Sequence, residues 1–169
     1  MGRLVMKFGG TSVADIGRIR NVARHVLREV KAGNHVAVIV SAMAGTTDQL
    51  VAWCKEAAAV HDAREYDAIV ASGEQVTAGL LAIILQDMGV PARSWHGWQI
   101  PLKTDGVHAS ARIAEIDAAE IRKRMEQGQV AVIAGFQGIA PDDRIATLGR
   151  GGSDTSAVAI RSSGAMPWK

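Results

Sequence analysis

Cysteine is nearly absent: Cys54 is the only one in 169 residues. No disulfide can form within the chain, which suits a reducing, cytoplasmic setting. Cys54 sits beside Trp53 in a helical pattern and is expected to be a small core residue rather than a nucleophile. Aromatic residues are scarce at 4%, so the core must be built from Ala, Val, Ile and Leu. The net charge is only +2, with Lys and Arg scattered among Asp and Glu. No basic stripe interleaved with aromatics is present, which argues against a nucleic-acid partner. No apolar stretch approaches the roughly 20 residues of a membrane span, and the apolar part of the N-terminus is too short for a signal peptide. His25, His35, His61, His96 and His108 do not pair with Cys, Asp or Glu at metal-ligand spacings, so no protein-held metal site is expected. Hydrophobic residues nevertheless make up 48%, and a chain of this length predicts one domain with a real core.

The apolar periodicity alternates between short strands and helices. Strands are predicted at 3–8, 35–40, 92–95, 112–116 and 129–134. The two runs His35–Val40 and Gln129–Ala134 are nearly continuous, as in buried parallel strands. A helix capped by Asp15 runs to about Ala32 and ends at Gly33. A second begins near Asp48 and fades near Val60. Residues 64–88 form a helical pattern with a break or kink at Ser72-Gly73, stopped by Gly89-Val90-Pro91. Residues 96–111 are loop-like. Asp117 caps a helix to about Gln127, and another helix opens at Ala157-Val158-Ala159-Ile160. This is the pattern of an α/β fold, a mostly parallel sheet flanked by helices on both faces. Such sheets gather ligands at the carboxyl ends of their strands. Four small-residue loops fall at or near that edge: 9–12, 41–47, 135–138 and 149–156.

Several residues in these loops could carry chemistry. In Gly149-Arg150-Gly151-Gly152-Ser153-Asp154-Thr155-Ser156, glycines allow close backbone approach, Arg150 offers a planar fork for a carboxylate or phosphate, and the following helix presents its N–H groups. A capped turn with Ser153 or Asp154 at the N-cap explains the same residues. Lys7 stands just before Gly9-Gly10-Thr11-Ser12. It could place an ammonium over a phosphate held by backbone N–H groups, or be a solvated strand-end lysine. The order of lysine and glycines is not that of a Walker loop, and no dinucleotide fingerprint follows the strand. Glu74 lies in an apolar helix and needs a partner: the helix cap at Ser72, or a ligand ammonium.

Taken in order, Lys7-Phe8-Gly9-Gly10-Thr11-Ser12-Val13-Ala14, Val40-Ser41-Ala42-Met43-Ala44-Gly45, Ser72-Gly73-Glu74, Gly135-Phe136 and Leu148 to Thr155 resemble the motif series of the aspartate kinases, within the amino acid kinase family. The resemblance covers residues 3 to about 160. It implies transfer of the ATP γ-phosphoryl group to the β-carboxylate of L-aspartate, giving 4-phospho-L-aspartate on the way to lysine, threonine and methionine. It also implies roles for individual residues. Lys7 would stabilise the transferring group and Asp154 would orient Lys7. Arg150 would hold the substrate α-carboxylate and Glu74 its α-ammonium. Ser41, Thr47 and Ser153 would hydrogen-bond aspartate, and Phe136 would close the pocket. Gly9 and Gly10, with Thr11 and Ser12, would meet the phosphates, and Mg²⁺ would ride on the nucleotide.

The tail, residues 161–169, does not resemble the family. Residues 1–160 therefore correspond to the N-terminal, acceptor-binding part of a kinase domain. The strand with a Thr-Asp motif that meets the nucleotide in the family, and its C-terminal sensing domains, are not in this sequence. The expectations are little or no kinase activity from this chain alone, and a homo-oligomer that covers exposed apolar faces. An aspartate-binding or assembly module without turnover is the alternative. A family member with a carbamate, N-acetylglutamate or nucleotide acceptor fits less well, because Glu74 and Arg150 together suit a free α-amino acid.

Overall fold

The structure, a computed structural model, describes residues 2–100, 102–149 and 151–162. The chain runs β1 (Arg3–Phe8), a single 3-10 turn (Gly10–Val13), α1 (Ile16–Lys31), β2 (His35–Val40), α2 (Thr46–Ala57), α3 (Ala63–Asp87), β3 (Ala92–Trp95), β4 (Leu102–Thr104), β5 (Ile113–Ile116), α4 (Ala119–Glu126), β6 (Val130–Ala134), β7 (Gln137–Ile139), β8 (Ile145–Thr147) and α5 (Gly152–Ser162). The main sheet has the order β1-β2-β6-β3, and every pairing in it is parallel.

Side-chain alternation along the central strands builds two cores, because successive residues point to opposite faces. Val36, Val38, Val40, Val130 and Val132 pack against Ile19, Val22 and Val26 of α1 and Leu81 and Leu85 of α3. Ala37, Ile39, Ala131 and Ile133 face the other way, against Ile121 and Met125 of α4 and Ile160 of α5. With both faces covered, the strands can be continuously apolar, which is how they appear in the sequence. The expected α/β architecture is therefore the observed one. Cys54 is buried, as its neighbours suggested.

Other expectations are revised. α3 is unbroken through Ser72-Gly73, and Ser72 Oγ donates back to the Ile69 carbonyl instead of capping a new helix. Gly73 marks a close approach: a Cβ there would lie 3.1 Å from the Ala42 Cβ and 3.2 Å from side-chain carbons of Leu50 and Thr46. α3 is also apolar and long enough, at 25 residues, to cross a membrane by length and composition, contrary to the sequence expectation. More than half of its most apolar window is buried inside the protein, as in a core helix. Residues 96–111 contain β4, which joins a second sheet of order β5-β4-β7-β8 with antiparallel pairs at both ends. Its β5 falls within the strand expected at 112–116, whereas β4, β7 and β8 are three residues long, too short to show a period. α2 begins at Thr46 and ends at Ala57, close to the expected limits. α5 begins at Gly152, so Ser153 and Asp154 lie in its first turn and are not caps, and it runs on through Arg161 and Ser162. The rest of the expected tail, 163–169, lies outside the described residues.

Candidate functional site

Parallel strands bring the loops after β1, β2 and β6 to one edge of the main sheet, where α5 also begins. Lys7, next to last in β1, reaches Asp154 in the first turn of α5, with Nζ 2.8 Å from Oδ1. Its side chain is 27% exposed and that of Asp154 66%, so the pair adds little stability and mainly fixes where the ammonium sits. Lys7 folds back over Gly9, where a Cβ would stand 3.7 Å from Nζ. Gly10 brings the 3-10 turn against the next loop, with 3.0 Å between a would-be Cβ and the Ala42 carbonyl oxygen. Thr11 and Ser12 are exposed on that turn.

Ser41, directly after β2, and Ser153 on α5 share a hydrogen bond with Oγ to Oγ 3.0 Å. The approach of α5 to β6 depends on Gly135, since a Cβ there would come 2.3 Å from Ile39 Cγ2 and 3.2 Å from Ser153 Cβ. Gly151, at φ +79°, turns the chain into α5.

Glu74 comes from the middle of α3 and is 1% exposed. The Phe136 backbone N–H donates to both carboxylate oxygens, at 2.7 and 2.8 Å, and Gln137 Nε2 donates to Oε1 at 3.2 Å. Burial pushes the Glu74 carboxyl up to about 8, while hydrogen bonds from Gln137, Phe136 and Gly135 hold it below where burial alone would take it. No cation pairs with it among the described residues. Glu74 lines a cleft of about 460 Å³ together with Ser41, Thr47, Phe136, Gly152 and Ser153, and with Tyr66 and Val70 two turns and one turn back along α3. A buried acid without a cation, facing a cleft ringed by hydroxyls, is suited to a ligand that brings its own positive charge.

The structure thus brings Ser41, Thr47, Glu74, Phe136 and Ser153 into one cleft and places Lys7 and Asp154 beside it. Gly9, Gly10, Thr11 and Ser12 adjoin Lys7 and are not among the residues lining the cleft. Arg150 lies outside the described residues; its neighbour Gly151 lines the cleft. The helix-cap explanation of Glu74 fails, because α3 starts at Ala63 with Asp62 accepting from the Arg64 N–H.

Gln137, Tyr66 and a second buried acid, Asp67, were not among the residues expected from the sequence. Asp67 is fully buried and accepts from His108 Nδ1 at 2.7 Å, from the Ala109 N–H at 3.0 and 3.1 Å, and from the Thr147 hydroxyl. It fastens the loop before β5 and the end of β8 to α3. The available signal was Asp67 and Glu74 standing two turns apart on the mostly apolar buried face of α3.

The family model described as the amino acid kinase family matches residues 2–160, and the chain belongs to that family. Within it, the similarity is to aspartokinases. The chain is 50% identical over 160 residues to the aspartokinase of Bacillus sp. (strain MGA3), covering 95% of this chain and 39% of that protein. It is 49% identical over 160 residues to an aspartokinase of Thermus thermophilus, covering 95% of this chain and 40% of that one. The chain therefore spans about two fifths of the length of these curated relatives. Among solved structures, E. coli aspartokinase III in complex with aspartate and ADP superposes with a TM-score of 0.84 at 26% identity, covering 96% of this chain and 47% of that one. The aspartate kinase of Synechocystis gives 0.77 at 41% identity, covering 95% of this chain and 26% of that one.

Proposed function

We propose that this chain is the acceptor-binding part, residues 1–160, of an aspartate kinase acting in the cytoplasm. The observation that carries the reading is Glu74: a buried carboxyl with no cationic partner among the described residues, facing a cleft whose other polar groups are hydroxyls. In the proposed complex the α-ammonium of L-aspartate pairs with Glu74, Ser41, Thr47 and Ser153 hydrogen-bond the substrate, and Arg150 takes the α-carboxylate. Phe136 forms a wall of the cleft.

The acceptor needs no general base, because a β-carboxylate is already ionised at neutral pH. The difficulty is electrostatic, since an anion must approach a polyanion. Catalysis then rests on positioning and charge neutralisation. A carboxylate oxygen of aspartate attacks the γ-phosphorus of ATP, the bond to the β-phosphate oxygen breaks, and ADP departs. Lys7, held by Asp154, offsets charge on the transferring group, and the backbone of residues 9–12 approaches the phosphates. Mg²⁺ enters as part of the MgATP substrate. Among the described residues no group of three or more His, Cys, Asp or Glu is placed to hold a metal.

Calorimetry tests the reading. L-Aspartate should bind the chain, and Glu74→Gln should weaken it at least tenfold. Undiminished binding by Glu74→Gln would refute the ammonium role. Aspartate binding without MgATP binding would select the alternative, a binding module without turnover. Self-association belongs to the same proposal. Ile69, Val76 and Ile83 stand exposed in a row two turns apart along α3, and sedimentation equilibrium reads the resulting mass.

A further inference from the structure

The amide of Gln137 has no part in the chemistry above, yet each of its polar atoms is engaged. The residue is fully buried at the start of β7. Its Nε2 donates to the Ala71 carbonyl and to Glu74 Oε1, both at 3.2 Å. Its Oε1 accepts from the Gly97 N–H and from Gln75 Nε2, both at 3.4 Å. These partners settle the amide's orientation. With oxygen and nitrogen exchanged, the oxygen would face a carbonyl and a carboxylate, and the nitrogen would face two donors. The side chain is also confined. A Cβ on Gly97 would come 2.9 Å from the Gln137 carbonyl oxygen and 3.1 Å from its Cγ.

Glu74 needs such a support. Among the described residues its other close donor is the Phe136 N–H, which bridges both oxygens, while the Gly135 N–H, directed at the Val40 carbonyl at 3.3 Å, contributes least. One bridging donor sets the carboxylate's distance but leaves its plane free to turn. A second donor, arriving at Oε1 from another direction, fixes the plane. A neutral amide also favours the anionic form without competing for a cation from the ligand.

We propose that Gln137 is a positioning residue for Glu74: its amide sets the carboxylate's plane and favours the anionic form that receives a ligand ammonium. The ligand part of this inference rests on the ammonium role proposed above. Among the described residues the titratable groups around the cleft are Tyr66 on α3, the Lys7–Asp154 pair between β1 and α5, and His96 beside Gly97. Burial raises the Tyr66 phenol and lowers His96, so both are neutral near pH 7. None of them forms an ion pair with Glu74.

The test compares the chain with Gln137→Met, which keeps the length and removes the polar atoms. Carbon-13 NMR follows the Glu74 carboxyl, assigned by its loss in Glu74→Gln. The expected midpoint rises by about one pH unit. Aspartate affinity should fall about tenfold at pH 7 and converge with the parent near pH 9.5. An unchanged midpoint overturns the proposal, as does an equal loss of affinity at every pH, which is the mark of a merely structural role. The titration needs no ligand, so it decides the case even if aspartate fails to bind, an outcome that removes only the functional reading. Should Gln137→Met not fold, the near-isosteric Gln137→Glu places a second acid against Oε1. That must split the titration into two coupled midpoints; a single midpoint at the parent position overturns the proposal.

Discussion

Replacing Glu74 by glutamine should change how stability depends on pH. The folded chain holds the Glu74 proton up to about 8 because burial penalises the charge, whereas the unfolded chain releases it near the ordinary value of 4.5. Between these values the unfolded state binds fewer protons than the folded one, so stability falls as pH rises, by about 1.4 kcal/mol per pH unit. From pH 4.5 to pH 7 that amounts to about 3 kcal/mol, lost by the parent and not by Glu74→Gln. An amide with its oxygen at the Oε1 position still accepts from the Phe136 N–H and Gln137, but its NH2 then faces the Phe136 N–H where Oε2 accepted, and that costs about 1–2 kcal/mol at every pH. The diagnostic is therefore the slope of the difference, not its size at one pH. Urea unfolding of both chains at pH 5, 6, 7 and 8 measures it. Other titrating groups cancel in the subtraction. A difference that stays flat across this range would refute the claim that burial keeps Glu74 protonated. The same proton should appear in binding. Seating an ammonium against Glu74 at pH 7 should release close to one proton, seen as an aspartate-binding enthalpy that varies with buffer ionisation.

Gly135→Ala forces a Cβ to within 2.3 Å of Ile39 Cγ2 and should destabilise the chain by about 1–3 kcal/mol in urea. Asp67→Ala strips the buried acceptor from His108, Ala109 and Thr147 and should cost about 3–5 kcal/mol. A loss below about 1 kcal/mol would mean the loop before β5 does not depend on it. Asp154→Asn weakens a partly exposed pair, so stability should move by less than about 0.5 kcal/mol. If Asp154 positions Lys7 for phosphate, MgATP affinity should fall severalfold in the same variant.

The architecture was legible where the sequence is periodic over long stretches. Val36 to Val40 and Val130 to Ala134 show the continuous apolar runs of strands covered on both faces, and Ile19, Val22 and Val26 mark the buried stripe of α1. Of the second sheet only β5 was legible, within the strand expected at 112–116, because strands such as β7 and β8 of three residues carry no measurable period. Ser72-Gly73 was misread as a break because glycine lowers helix propensity. Only the neighbours across space show that the missing Cβ makes room for Ala42, Leu50 and Thr46.

The inventory of the site lies in the sequence: a lysine before two glycines, hydroxyls after the second strand, an acid in an apolar helix and a glycine-rich turn into the last helix. Residue types and local spacing specify these features, and no fold is needed to list them. What required the tertiary structure is which groups meet. Lys7 and Asp154 are 147 positions apart in the chain and 2.8 Å apart in space. Ser41 and Ser153 are likewise joined only by the folding of the sheet. The state of Glu74 is set in the same way. Its titration depends on exclusion from water and on donors from β7 and the turn between β6 and β7, and long-range packing alone supplies both.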